Sequence, residues 1–335
     1  MSRSAVWAVK TRLGTPNLGQ SIEAPEGARI GWGKLHPLLC GAFMIAAGID
    51  LGGTKIEAQL FDADWNRGKT KRVATPATYD TLVEAVADLI QWAGPVPVGI
   101  SAAGLINPQT GVALTANLPA SGKPFPADVT KRAGRKVTWV NDARSVILSE
   151  AVFGAAKDVA SVAGLILGTG VGGGIAVKGR LLTGPTGTVG EIGHGPLSAP
   201  TVAKYGLPIH TCGCGRKGCV ETYVSGPGMV RIAEVLGSEL RDTRLIAAER
   251  GQVWRVWCEL TAELLLTLSL AADPEVVVIA GGLSNIPHLI EDLTAALKAA
   301  QFGGFGIPEL RLATVGDTAG ASGAAYAAWR KANHG

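Results

Sequence analysis

The stretch MIAAGIDLGGTKIEAQLFDAD, residues 44–64, decides the fold of this chain. An apolar run leads into a tight turn with two glycines, Gly52 and Gly53, and then into a second run of alternating apolar and polar residues. Because glycine lacks a Cβ atom, such a turn can adopt left-handed backbone angles and approach a ligand closely. The pattern predicts a strand, a ligand-binding turn and a second strand.

A second stretch, VASVAGLILGTGVGGGIAVKG at residues 159–179, repeats this order of apolar strand, glycine turn and further strand. Such a duplicated unit predicts two related α/β domains that face a cleft. We expect a mobile extension rich in Gly and Pro at 1–43, a small domain at 44–158 and a larger domain at 159–318. A closing helix at about 319–333 is expected to pack back onto the small domain.

Three glycine-rich turns, DLGGTK at 50–55, GTGVGGG at 168–174 and AGGLSN at 280–285, each follow an apolar strand. Amides in such turns point their N–H groups at one place, which favours phosphate. The chain lacks the G-x4-G-K-[ST] pattern of a Walker loop, so a phosphate site here would be of another kind. Purely structural turns are the alternative interpretation.

Two carboxylates are candidates for chemistry. Asp142, in WVNDARS at 139–145, follows a buried strand and opens a helix. It is therefore either a helix N-cap or a general base at the carboxyl end of a strand, facing the cleft. Asp50, at the first glycine turn, stands where Mg²⁺ bound to ATP would lie.

The stretch HTCGCGRKGCVETY, residues 210–223, carries Cys212, Cys214 and Cys219. Thiolates are zinc ligands, and a tetrahedral zinc ion needs four ligands. Either His210 or His194, the last residue of GEIGH, would complete the set. A disulfide pair or unrelated thiols are the alternatives.

The composition excludes several classes of protein. In 335 residues the chain has 47% apolar and 17% charged residues, which suits a globular α/β protein rather than a disordered one. The net charge is +4 and there is no long basic run, so a nucleic-acid partner is not expected. No apolar stretch reaches the roughly 18–20 residues of a membrane span. Without a secretory signal, a cytoplasmic location without disulfides is expected.

Taken together, these motifs resemble the ROK family of sugar kinases and repressors, within the hexokinase–actin superfamily, over about residues 44–330. The motifs that carry the resemblance are GIDLGGTK, VNDARS, LILGTGVGGG, GEIGH, CGCGRKGCVETYVSG and VVVIAGGLSN. The stretches NLPASGKPFPADV and DPEVVVIAGGLSNIP look like those of bacterial N-acetyl-D-glucosamine kinases. The resemblance implies a two-domain hexokinase/actin-like (ribonuclease H-like) α/β fold with an interdomain cleft.

The resemblance also implies an activity, which is ATP-dependent phosphorylation of N-acetyl-D-glucosamine at its 6-hydroxyl, with Asp142 as the base. The sugar would be bound by Asn117, Ser121, Gly122, Asn141, Glu191, His194 and Glu221. ATP and Mg²⁺ would lie against Asp50, Gly52, Gly53, Thr54, Lys55, Thr169, Gly170, Val171, Gly172, Gly173, Gly281 and Gly282. A closed, structural zinc site would be formed by His194, Cys212, Cys214 and Cys219, with His194 preferred over His210.

The motifs are compatible with alternative substrates and with a second class of protein. N-acetylmannosamine, glucose or fructose are alternative substrates, and a sugar-sensing transcriptional regulator is the alternative class. A homodimer is expected. Two features depart from the family: Arg144 stands where Asn or a small residue is frequent, and the extension at 1–43 has no counterpart in the kinases.

Overall fold

The computed structural model describes residues 43–334 of the chain. The predicted extension at 1–43 lies outside the described residues apart from Phe43. The strands are β1 (Met44–Leu51), β2 (Lys55–Asp62), β3 (Arg67–Ala74), β4 (Val98–Ala102), β5 (Leu105–Ile106), β6 (Ala113–Leu114), β7 (Thr138–Asn141), β8 (Ser161–Leu167), β9 (Val171–Val177), β10 (Arg180–Leu181), β11 (Val276–Ala280) and β12 (Glu309–Leu312). The α-helices are α1 (Tyr79–Trp92), α2 (Phe125–Ala133), α3 (Asp142–Val152), α4 (Ala199–Tyr205), α5 (Glu221–Val224), α6 (Gly226–Val235), α7 (Thr243–Glu249), α8 (Gln252–Ala272), α9 (Leu289–Ala300) and α10 (Ala319–His334). Short 3-10 turns occur at Ile192–His194, Gly282–Asn285 and Gly316–Thr318.

Two five-stranded sheets share one topology. The first has the order β3-β2-β1-β4-β7, and the second has the order β10-β9-β8-β11-β12. In each sheet the first three strands of that order pair antiparallel, and the last two join in parallel. The internal repeat predicted from the two glycine hairpins is therefore confirmed, because β1–β2 and β8–β9 occupy equivalent places.

Each sheet is buried against helices whose apolar residues recur at helical spacing. In α1, Leu82, Val86 and Leu89 are buried in the core of the first sheet. The long helix α8 buries a larger apolar face, including Trp257, in the core of the second sheet. None of the helices in the described part of the chain is both long and apolar enough to cross a membrane.

The closing helix α10 lies against the first sheet at very short range. A Cβ atom at Gly48 of β1 would overlap the carbonyl oxygen of Ala321, and one at Gly99 of β4 would overlap that of Ala324. Glycine in these two strands therefore permits the contact with the alanine-rich helix. The domain boundaries predicted from the sequence stay a prediction.

Candidate active site

The parallel strands of the first sheet end at one level. Leu51 of β1 is in register with Ala102 of β4, which is in register with Asn141 of β7. Ligands of open α/β sheets bind outside such carboxyl ends. A cavity of about 900 Å³ lies there, and it is lined by residues from both sheets.

Asn141 and Asp142 stand where β7 passes directly into α3. The side-chain oxygen of Asn141 accepts from the backbone N–H of Arg144 at 3.2 Å, so Asn141 is the N-cap of the helix. Its amide nitrogen donates to the Gly104 carbonyl at 3.1 Å and to Asp142 Oδ1 at 2.8 Å. Asn141 supplies the helix cap, so the Asp142 carboxylate is not needed for capping. Asp142 Oδ1 accepts from the Asn141 amide and from the Ala143 backbone N–H, and Asp142 lines the cavity.

Burial raises the pKa of Asp142 above its ordinary value, against the opposing effect of hydrogen bonds from the Ala143 backbone and Asn141. Burial also raises the pKa of Asp50, and the nearby negative charge of Asp142 adds to that shift. Two carboxylates with raised pKa values in one cavity can accept protons or hold a hard cation such as Mg²⁺. Their donor chemistry therefore fits the metal that the sequence implies.

The charged side chains that line the cavity are all acidic. Six carboxylate side chains line it, from Asp50, Asp142, Glu150, Glu191, Glu221 and Asp317. Among the described residues that line this cavity, none is Lys, Arg or His. Such a lining favours a neutral, hydroxyl-rich ligand and a metal-bound nucleotide over a free anion.

The glycine turns differ in how much of each turn faces the cavity. In the second turn, Thr169, Gly170, Val171 and Gly172 line the cavity, whereas Gly173 packs between Gly164 and Ile192. Gly281 and Gly282 also line it, and the first turn contributes Gly52. Gly53, Thr54 and Lys55 are exposed and are not among the lining residues.

Gly281 is a position where glycine is required. Its φ is 90°, in the left-handed region, and a Cβ atom there would overlap the carbonyl oxygen of Leu167. The turn after β11 thus packs directly on the end of β8.

Three thiols and one imidazole converge beside the cavity. The ligand atoms of His194, Cys212, Cys214 and Cys219 all lie within 4.8 Å of one another. Cys212 Sγ is 3.6 Å from His194 Nδ1, and Cys214 Sγ is 3.6 Å from Cys219 Sγ. Tetrahedral zinc, with bonds of about 2.3 Å to sulfur and about 2.0 Å to nitrogen, would separate its ligand atoms by roughly 3.5–3.8 Å. The four residues therefore fit a closed zinc site.

His210, the alternative fourth ligand, lies elsewhere. Its ring packs against Tyr223, with 5.4 Å between the ring centroids. The histidine that the structure brings to the thiols is His194.

Glu221, the first residue of α5, connects this cluster to the second glycine turn. Its Oε1 accepts from the Cys212 thiol at 2.8 Å, and its Oε2 accepts from the Val171 backbone N–H at 3.2 Å. Burial raises the pKa of Cys212 to about 12, so without a metal the thiol keeps its proton. Metal binding would have to displace that proton.

Glu191 lines the cavity next to the cluster. Its Oε2 is 3.9 Å from His194 Nε2, the ring nitrogen that faces away from Cys212, and its Oε1 is 3.4 Å from Arg144 Nη2. Burial raises the pKa of Glu191, while the positive charge of Arg144 opposes that shift.

Four of the residues predicted to bind the sugar do not line this cavity, and one of them, His194, belongs to the cysteine cluster beside it. Asn117 is exposed and lies against Gly53 at the first turn. Ser121 is exposed and accepts from the Thr115 N–H at 3.4 Å, and Gly122 is exposed beside it. Their part in sugar binding stays a prediction.

Sequence reasoning also missed residues that line the cavity, namely Ser101, Gly104, Leu105, Ser284, Asn285 and Asp317. A signal existed for Gly104, since SAAGL at 101–105 is another apolar strand that ends in glycine, with φ of 124°. Asp317 had no local signal, because it lies in a short 3-10 turn before α10.

A cavity between two sheets of one topology, with glycine turns on both, defines the hexokinase/actin-like class of α/β fold. The ROK family model matches residues 46–331. The chain belongs to the ROK family, and the fold and family expected from the sequence are confirmed.

Known relatives are similar over most of the chain. The N-acetyl-D-glucosamine kinase of Vibrio cholerae serotype O1 is 38% identical over 297 residues, which cover 83% of this chain and 98% of that protein. The N-acetylgalactosamine kinase of Shewanella sp. strain ANA-3 is 35% identical over 292 residues, which cover 83% and 94%. The crystal structure of a ROK hexokinase from Thermus thermophilus superposes with a TM-score of 0.75 at 32% identity, covering 88% of this chain and all of that one.

Proposed function

We propose that the protein is an ATP-dependent sugar kinase that phosphorylates N-acetyl-D-glucosamine at its 6-hydroxyl. The observation that carries the proposal is the Asp142 carboxylate in the cavity, held by Asn141 and facing the glycine turns of the second sheet. The similarity to N-acetyl-D-glucosamine kinases over 83% of the chain supports this choice of sugar.

Asp142 is the proposed general base. It would accept the proton of the primary hydroxyl as that oxygen attacks the γ-phosphorus of ATP. Burial helps, because a raised pKa makes the carboxylate a better proton acceptor. A positioned base contributes roughly 10²–10⁴ in rate. Asn141 would keep the carboxylate in place through its 2.8 Å hydrogen bond.

The glycine turns are the proposed nucleotide site. The turn at Thr169–Gly172 would contact the phosphates through backbone N–H groups, and Gly281–Gly282 would border the adenosine. Asp50 is the residue proposed to hold Mg²⁺. A metal ion held there would supply positive charge to neutralise the negative charge that develops on the phosphates.

Zinc is proposed as a structural ion. With four protein ligands it would have no open position for water, so it would not take part in hydrolysis. It would instead connect the Glu191–His194 segment to the Cys212–Glu221 segment, which carry two proposed sugar-binding carboxylates. His194 would bind zinc through Nδ1 and keep Nε2 towards Glu191 and the sugar.

The acidic lining supports a neutral sugar over a sugar acid or sugar phosphate, because a negatively charged sugar would be repelled by the carboxylates there. Glu191 and Glu221 would accept hydrogen bonds from its hydroxyls. Asn117, Ser121 and Gly122 are proposed to reach the 2-acetamido group from the neighbouring loop. N-acetylgalactosamine is the second candidate, since the Shewanella relative acts on it.

The intact base and turns favour the enzyme over a transcriptional regulator. We further propose a homodimer and a cytoplasmic location, both of which are expectations from the sequence.

The test is a coupled ADP-release assay with N-acetyl-D-glucosamine, N-acetylgalactosamine, N-acetylmannosamine, glucose and fructose. The highest kcat/KM is expected for N-acetyl-D-glucosamine. A higher kcat/KM for another sugar would contradict the assigned substrate. No sugar-dependent ADP release with any of the five would contradict the kinase itself.

A further inference from the structure

Arg144 is a buried cation next to the proposed sugar site. It is the third residue of α3, two positions after Asp142, and is 9% exposed. A buried guanidinium is tolerated only when it is paired and hydrogen-bonded, so its partners indicate what it does.

Its partners both belong to the segment that leads to the cysteine cluster. Nη2 of Arg144 donates to the Gly187 carbonyl at 2.7 Å and lies 3.4 Å from Glu191 Oε1. Gly187 has φ of 72°, a left-handed angle at which a side chain is disfavoured. One planar side chain therefore contacts the backbone and the carboxylate of this segment together.

This contact joins the two halves of the site. Asn141 and Asp142 begin α3, whereas Glu191 comes from the loop after β10. The backbone N–H of Arg144 is bonded to the Asn141 side chain, and its guanidinium is bonded to the Glu191 loop. Arg144 thus links the Glu191 loop to the start of α3, where Asn141 and Asp142 lie.

Arg144 also offsets repulsion. Glu191 lines the cavity together with Asp142 and Glu221. The negative charges of both residues contribute to the raised pKa of Glu191, so the three carboxylates repel one another. Without the cation, the Glu191 side chain would lose its partner on α3 and turn away from the other two carboxylates.

We propose that Arg144 is a positioning residue for the sugar, holding Glu191 in register with Asn141 and Asp142. The proposal rests on the proposed sugar kinase function and adds a residue to it. Arg144 itself is not among the lining residues of the cavity, so it acts through Glu191.

The test is a double-mutant cycle of Arg144→Gln and Glu191→Gln, with N-acetyl-D-glucosamine affinity measured by titration calorimetry and KM measured for both substrates. Loss of a charged hydrogen bond predicts a sugar affinity roughly 10- to 100-fold weaker in either single variant. The KM for ATP is expected to stay within about twofold, and the double variant to be little worse than the single ones. Arg144→Lys should recover part of the affinity, because lysine keeps the charge but not the planar fork.

Arg135→Gln is the matched control. Arg135 is half-buried and also donates to backbone carbonyls, those of Gly94 and Val96, away from the cavity. It should leave sugar affinity unchanged. If Arg144→Gln does not fold, the cycle is run with Arg144→Lys.

Three outcomes would overturn the proposal for Arg144 while the kinase assignment stands: unchanged sugar affinity, independent effects in the double variant, or an equal rise in the KM for ATP. If the unaltered protein neither binds nor phosphorylates any of the five sugars, the proposed function itself is wrong.

Discussion

Replacing Asp142 by asparagine separates chemistry from structure at the proposed base. The amide oxygen of asparagine can still accept from the Ala143 N–H and the Asn141 amide, which lie 2.9 and 2.8 Å from Asp142 Oδ1. The N-cap of α3 is unaffected because Asn141 supplies it. The variant therefore loses the ability to accept a proton and little else.

The magnitude follows from these contacts. Loss of a general base predicts a fall in kcat of about 10²–10⁴-fold, or roughly 2.7–5.4 kcal/mol in the barrier. Removing a negative charge from the first turn of α3 costs about 0.3–1 kcal/mol of unfolding free energy. That cost is offset because the partly desolvated charge and its repulsion with Asp50 also disappear. We expect the Tm to change little.

The assay is ADP release at saturating N-acetyl-D-glucosamine and ATP, with sugar affinity measured by calorimetry in the same preparations. Asp64→Asn is the control, since Asp64 is exposed in the hairpin between β2 and β3. A kcat for Asp142→Asn within about threefold of the unaltered protein, too small a change for the loss of a base, would refute the reasoning. Asp142 would then be only the first residue of a helix.

Three further predictions concern the metal, the pH profile and the third glycine turn. The purified protein should contain one zinc ion per chain by elemental analysis, and His194→Ala should lower that content whereas His210→Ala should not; the reverse result would mean that the wrong histidine is assigned. A base must be unprotonated, so kcat should decrease as the pH is lowered. Because the pKa of Asp142 is raised, this decrease should begin at a pH above the ordinary pKa of aspartate, which is about 4. The same decrease in Asp142→Asn would assign it to another group. Gly281→Ala should raise the KM for ATP and lower the Tm. Alanine with left-handed backbone angles costs about 1–2 kcal/mol, and its Cβ atom would also overlap the Leu167 carbonyl. Unchanged values of both KM and Tm would show that the turn adapts to the side chain.

The sequence predicted the parts of the fold that are encoded locally. The strand–glycine–strand units at 44–64 and 159–179 are contiguous, so their apolar runs and turns could be interpreted directly and their equivalence was confirmed. Asp142 could be found for the same reason, because it stands immediately after a strand and before a helix.

Features that depend on distant pairing were missed. Strand β3, RGKTKRVA, is almost wholly exposed and basic, and it is an edge strand by virtue of its pairing with β2. The contacts of Glu221 with Val171 and of Arg144 with Glu191 join residues from different elements, and no sequence spacing indicates them.

The position of the loop that carries Asn117 and Ser121 could not be predicted from the sequence. The family resemblance implied that it reaches the sugar, but its distance from the cavity depends on how the β5–β6 ribbon folds. The ribbon has two-residue strands with weak apolar patterning, so its orientation was not predictable.

The most direct test of the central claim is a competition in one reaction. N-acetyl-D-glucosamine, N-acetylgalactosamine and glucose are mixed in equal amounts with limiting ATP, and the phosphorylated product is identified by NMR. One additional amide hydrogen bond and one buried methyl contribute about 2–3 kcal/mol, which predicts a roughly 30–150-fold preference for N-acetyl-D-glucosamine over glucose. The predicted result is N-acetyl-D-glucosamine 6-phosphate as the main product. A main product from another sugar, or phosphate on an oxygen other than the 6-hydroxyl, would contradict the assignment.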